Sequence, residues 1–330
     1  MTHKPLPILS DMPWHVKQKI VGFTDPYTQM NLQLCSKELQ KVVEKAPCVY
    51  KWLEITLSAN EIVIYLFSGA ARKNFTIRFE QRGQQVVIQK FIVLTSFEVE
   101  GDFLEEAVKY LEKKIFYKTP RNLVSVQELR LHLDRGYKNY EGYEDKVLAF
   151  LEMLKTTFGF LCARKIHLDI EFNEQRIASV FRCFQPRTLR DISLYCIVWG
   201  DSQEVVMTEV AGLEQWKQAR ELRTFGFTVT EPYESWKHLE VEFMTVVTLS
   251  LDALKDIIQR LAQSPTWSKT RLTIERIPQD VQDYFDRLPV FDEITDTRKI
   301  DIQHCDSLFV TSSFFGKVMT LKKVISEKSK

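Results

Sequence analysis

The chain has 330 residues, 45% hydrophobic and 27% charged, with a formal net charge of +1. That is room for roughly two or three domains and a sizeable core. The near-zero charge gives no global pull toward nucleic acid or an anionic membrane, and no run approaches the roughly 20 apolar residues of a membrane helix.

Residues 5–46 read as helical. Val16, Ile20 and Phe23 fall at i, i+4 and i+7, one stripe of a helix. Pro13 suits a first turn, where its missing N–H costs nothing. Pro26 stops continuation, and Pro47 closes the segment. Two further short helices carry Leu32, Leu34, Cys35, Leu39, Val42 and Val43. Over residues 49–100 the period changes to two: Leu53, Ile55 and Leu57 alternate, as do Phe75, Ile77 and Phe79, then Phe97 and Val99. Such alternation predicts strands, with Arg82-Gly83-Gln84-Gln85 as a turn between two of them.

From residue 101 a strand–helix unit recurs. Asp102 is a fair N-cap for a helix through Phe116. Strands follow at Leu129–Leu133, Ile166–Ile170, Ile192–Cys196 and Leu239–Phe243, with weaker ones at Leu222–Phe225, Leu272–Ile274 and Ile300–Ile302. Helical stretches lie between them: Glu144–Phe158, Asn173–Phe184, Leu213–Ala219, Ser250–Ala262 and Pro278–Leu288. In the Ser250 helix, Leu251, Leu254, Ile258 and Leu261 form a clean apolar stripe behind a capping serine. Recurrence at roughly 20–35 residues is the signature of a leucine-rich-repeat-like α/β solenoid with a curved, largely parallel sheet. The alternative is an α/β sheet covered on both faces, whose strands should be apolar nearly throughout. These strands instead alternate, so one face is expected to stay wet.

That face is the expected surface for a protein target, through His132, Asp134, His167, Asp169, Glu171, Tyr195, Glu240 and Glu242. Its acidic majority suits a partly basic partner. His132 and His167 hold matching places in successive units, but no third ligand with a local spacing accompanies them, so no metal and no other cofactor is expected. Trp216 sits at fixed helical spacing from Leu213 and Ala219, which reads as core rather than as an interface anchor. The Lys317, Lys322, Lys323, Lys328, Lys330 series reads as a solvated end.

Catalytic signatures are missing: there is no G-x-S-x-G, no H-E-x-x-H and no Walker motif. The expectation is a chain that does no chemistry. The six cysteines are dispersed with no C-x-x-C, which points to buried free thiols in a reducing compartment. Pro5, Pro7, Asp11 and Pro13 interrupt any secretory pattern at the N-terminus. The expected location is the cytoplasm, the nucleus or both.

The run Leu9-Ser10-Asp11-Met12-Pro13-Trp14, then Asp25-Pro26, then Leu32-Gln33-Leu34-Cys35 resembles an F-box. Farther on stand Phe184-Gln185-Pro186-Arg187-Thr188-Leu189, Glu214-Gln215-Trp216-Lys217-Gln218-Ala219 and Trp236-Lys237-His238-Leu239. In that order they resemble the large nematode F-box family with a C-terminal FTH domain. The resemblance implies an F-box at 5–47, a β-rich connecting segment at 48–100 and an FTH-like repeat domain at 101–330. It implies docking on a Skp-type adaptor, and through it a cullin, with the repeat holding a protein target for ubiquitin transfer.

Adaptor contact then falls to Met12, Pro13, Val16, Ile20, Pro26, Leu32, Cys35 and Leu39, since about 40 residues cannot bury all these side chains internally. Met12 stands where the family usually has Leu, and Gly22 lies inside the first helix at a cost of about 1 kcal/mol relative to Ala. Both point to reduced adaptor affinity. No membrane or nucleic-acid partner is expected. The rival reading is a non-ligase scaffold or translational regulator whose repeat binds protein or RNA.

Overall fold

Alternation of buried and half-buried residues organises both halves of the chain. In the computed structural model the described residues are 9–22, 24, 28, 32, 35–45, 50–67, 75–91, 95–112, 124–133, 143–169, 174–196, 203–292, 297–300, 307–312 and 318–324. They form two units: residues 1–167 with 183–188, and residues 168–182 with 189–330.

The first unit begins with helices α1 (Trp14–Gly22) and α2 (Lys37–Lys45). Pro13 starts α1 and its carbonyl accepts from Val16 N and Lys17 N, each at 3.0 Å. Ser36 caps α2, its Oγ accepting from Leu39 N at 3.1 Å. The expected middle helix of a three-helix module lies mostly outside the described residues.

An antiparallel meander follows: β1 (Tyr50–Ser58), β2 (Glu61–Phe67), β3 (Phe75–Arg82), β4 (Gln85–Lys90) and β5 (Thr95–Glu100). Gly83, at φ 66°, makes the expected β3–β4 turn, a conformation L side chains adopt with difficulty. Leu53, Ile55, Leu57, Ile62, Ile64, Leu66, Ile77 and Phe79 are buried on one face. Against them packs α3 (Phe103–Tyr110), through Phe103, Leu104, Ala107 and Val108. Asp102 caps α3 as expected, accepting from Leu104 N at 2.9 Å; the expected helix end at Phe116 lies outside the described residues. The strand β6 (Val124–Leu133) lies parallel to β1. After α4 (Tyr143–Phe158), β7 (Leu161–Asp169) adds beyond β6.

The second unit holds α5 (Glu174–Arg182), β8 (Asp191–Tyr195), β9 (Gln203–Val205), α6 (Thr208–Gly212), α7 (Glu214–Lys217), β10 (Glu221–Val229), β11 (Glu240–Val246), α8 (Leu251–Gln263), β12 (Lys269–Ile274) and α9 (Gln279–Asp286). The antiparallel strands β13 (Val290–Asp292), β14 (Thr297–Ile300), β15 (Ser307–Ser312) and β16 (Val318–Val324) close the series. Its strand order is β8-β10-β11-β12-β16-β15-β14-β13, with β9 beside β10. Strands β8 to β12 pair in parallel, and β16 joins β12 antiparallel.

The sheet is therefore mixed rather than largely parallel. Side-chain alternation is the same in both pairings, so it cannot tell direction. The Asn173–Phe184 helix also proves shorter, ending at Arg182, because Phe184 forms a β-bridge with Leu161.

Three tryptophans anchor the second unit's core. Trp216 is 2% exposed, and its indole Nε1 donates to Ser235 O at 3.0 Å. Trp236 donates to Glu231 O at 3.4 Å. Trp267 donates to Val241 O at 3.1 Å and Lys269 O at 3.0 Å. Buried indoles need such partners. The helical spacing of Trp216 is thus a core spacing, as expected. Ser250 caps α8, accepting from Ala253 N at 3.2 Å, and Leu254, Ile257, Ile258 and Leu261 are buried along it.

Candidate functional site

Among the described residues, the N-terminal helices pack around two valines. Val21 and Val42 are fully buried and Leu32 packs against them. The inward stripe of α1 is Lys17 and Val21, with Lys17 5% exposed and ion-paired to Glu38. The stripe of Val16 and Ile20 is not sealed: Val16 is half-buried and Ile20 is exposed, as are Pro13, Trp14 and Cys35. Met12 and Leu39 are half-buried. Pro26 lies outside the described residues.

The open face of the second unit's sheet carries a different constellation. On β10, Leu222 and Thr224 are buried, while Glu221, Arg223 and Phe225 take the other face. Phe225 is 52% exposed. On one side its ring stacks on Tyr195 of β8, centroids 6.0 Å apart. On the other it meets Phe243 of β11 at 5.6 Å. The guanidinium of Arg271 on β12 lies 5.5 Å from the centre of the Phe243 ring, within cation–π range. Four adjacent strands thus contribute one continuous row.

Two backbone irregularities build this row. The register between β10 and β11 slips between Leu222↔Val241 and Arg223↔Phe243, leaving Glu242 as the extra residue of a bulge. The bulge turns Phe243 to the open face, where strict alternation from Leu239 and Val241 would have buried it. The second irregularity is Gly226, at φ 83°. A Cβ there would stand 1.6 Å from the Cys196 carbonyl oxygen. The close approach lets Phe225 O accept from Cys196 N at 2.7 Å. Beyond it, β10 leaves β8 and pairs with β9.

Charge is distributed unevenly along the face. Glu242 bonds Arg223, which also faces Glu221 at 3.7 Å. Burial pulls the Arg223 guanidinium down, yet its bond to Glu242 and the charges of Glu242 and Glu221 hold its pKa above the ordinary value. Glu240 faces Arg220 at 3.2 Å and accepts from Ser264 Oγ at 3.0 Å. Glu240 and Glu242, two of the acids expected to attract a basic target, are therefore committed to neighbouring arginines. By contrast Lys269, Arg271 and Lys322 share the exposed face of β12 and β16 with no carboxylate partner among the described residues. Lys322, read from sequence as part of a solvated end, lies within β16.

Of the other target positions, His132 and His167 lie side by side in the first unit, ring centroids 5.3 Å apart. Asp169 is half-buried. Asp134 and Glu171 lie outside the described residues. Among the described residues no group of three His, Cys, Asp or Glu is placed to hold a metal ion. Cys162, Cys183 and Cys196 are buried free thiols, and burial pushes the Cys183 thiol up to about 11. Among the described residues no helix is long and apolar enough to cross a membrane. Sequence reasoning placed Tyr195 and Glu242 on the target surface but missed Phe225, Phe243 and Arg271. Phe225 was within reach, since alternation from Leu222 puts it on the open side.

Residues 144–288 match the FTH domain, a family known from F-box proteins. The match contains Phe225, Phe243 and Arg271. No curated protein matches the sequence.

Proposed function

We propose that the chain is the substrate-recognition subunit of a Skp–cullin–F-box ubiquitin ligase and does no chemistry itself. Its N-terminal helices dock on a Skp-type adaptor, and its FTH region holds a protein target. The contribution to ubiquitin transfer is effective concentration, keeping target lysines near a ligase-bound donor.

The observation that carries this reading is the unsealed side of α1. Pro13, Trp14 and Ile20 are exposed at and along a helix that buries Val21 against Val42 and Leu32. Exposed apolar side chains gathered on one short helix are the kind of surface that a partner completes. The FTH match supports a protein-interaction role for residues 144–288.

The test is capture of a purified Skp-type adaptor by the full chain and by a Pro13→Ala, Ile20→Asp double variant. Wild type is expected to retain the adaptor and the variant to lose at least about tenfold in affinity, a difference of about 1.4 kcal/mol. Equal capture by both overturns the assigned contact.

A further inference from the structure

We infer that the open face of the second unit binds an acidic protein segment carrying a bulky apolar side chain. The apolar group sits on Phe225 and Phe243, and the carboxylates meet Arg271, Lys269 and Lys322. The inference rests on the reading that the FTH region holds a protein target, and it names that target's chemistry.

Tyr195, Phe225 and Phe243 form a contiguous row of rings, and Phe225 at its centre is half exposed. A scattered surface phenylalanine is ordinary, but a stacked row across three strands offers one broad apolar platform. Aromatic and arginine side chains are the groups that anchor interfaces. Arg271 already lies over Phe243, so its guanidinium is oriented and loses little freedom on binding.

The electrostatics then select the partner. Around β10 and β11 every arginine on the face has a carboxylate: Arg220 with Glu240, Arg223 with Glu242 and Glu221. Along β12 and β16, Lys269, Arg271 and Lys322 have none among the described residues. With two arginines against three glutamates, the platform is slightly negative beside the rings and positive at the β12–β16 end. The complement is a segment that is apolar at one end and acidic at the other. From β10 to β16 is three strand spacings, about 14 Å, which an extended segment covers in about four or five residues.

A single-stranded polynucleotide fits less well. Aromatic rows with nearby cations do stack bases, but a phosphate accompanies every base. Those phosphates would run past Glu242, whose side chain is 55% exposed, and Glu221, 35% exposed. A peptide places charge only where the cations are.

The experiment is selection of random twelve-residue peptides displayed on phage against the immobilised full chain. It is repeated on Phe225→Ala and on an Arg271→Glu, Lys322→Glu double variant. All three side chains are on the open face, and circular dichroism checks that the variants fold. The wild-type pool is expected to gain at least fivefold in sequences with an aromatic or large aliphatic residue three to five positions from Asp or Glu. Phe225→Ala removes the apolar preference, and charge reversal turns the acidic preference basic.

A wild-type pool without acidic enrichment, or the same pool from the charge-reversed variant, overturns the inference. So does salt-sensitive binding of an oligouridylate that Phe225→Ala abolishes. Adaptor capture on the same preparations separates the two readings. Retained adaptor with no acidic pool sinks the surface alone. An acidic pool lost in the variants, without adaptor capture, supports the surface and sinks the ligase reading.

Discussion

Each unit carries an aromatic–arginine stack on its sheet, and the two stacks end differently. In the first unit Trp52 stacks on Phe67 at 4.6 Å, and the Arg130 guanidinium lies 4.6 Å from the centre of the Trp52 ring. That arginine is closed off by Glu128 at 2.6 Å and Glu54 at 3.8 Å, and all four of these flanking residues are half-buried. In the second unit Arg271 lies over Phe243 with no carboxylate partner among the described residues, and Phe225 stands half out of the surface. The same pair of residue types serves stability where the charge is matched within the chain. Where the charge is left unmatched, it is available to something else. An aromatic–arginine pair alone therefore says little about function; its charge environment decides.

Three perturbations test that contrast, the largest first. Gly226→Ala forces a side chain into the Cys196 carbonyl at a positive φ, and the cost is expected to be about 3 kcal/mol or more. Urea unfolding followed by circular dichroism measures it; a shift under about 1 kcal/mol would mean that the kink is dispensable.

Next, Arg130→Ala strands Glu54 and Glu128 and exposes Trp52, so about 1–2 kcal/mol of stability should be lost. Arg271→Ala, with no carboxylate to strand, should stay within about 0.5 kcal/mol. Equal losses would erase the distinction between the two stacks.

The smallest effect concerns pH. Cys183, in the first unit, has its thiol raised by burial from 9.0 to about 11. The native preference for the neutral thiol is intact below the unfolded value and is lost as pH rises through about 11. Stability should therefore fall between pH 9 and 11, by about 1 kcal/mol at pH 10. Urea midpoints at pH 8 and pH 10 report it, and Cys183→Ala should flatten that difference.

Much of the fold was legible because burial imposes a period. Leu53, Ile55 and Leu57, or Leu254, Ile258 and Leu261, declare strand and helix without further help. Asp102, Ser250 and Gly83 act through local backbone chemistry and could be read singly. Strand direction is not local, so the antiparallel β13–β16 escaped. The candidate surface was half legible for the same reason. Tyr195 and Glu242 follow from alternation, whereas Phe243 reaches the open face only through a bulge that pairing with β10 creates. Which acids are committed to arginines is decided across strands, in partners such as Arg223 and Glu242 that lie 19 positions apart.

The three buried indoles of the second unit have an optical consequence. Trp216, Trp236 and Trp267 are half of the chain's six tryptophans, and each is buried with its N–H bonded to a carbonyl. Their emission should lie toward the blue while that unit is intact and move red once water reaches them. The blue-emitting part of the native fluorescence thus follows the second unit's integrity, needing no label, in every variant that alters its exposed rings.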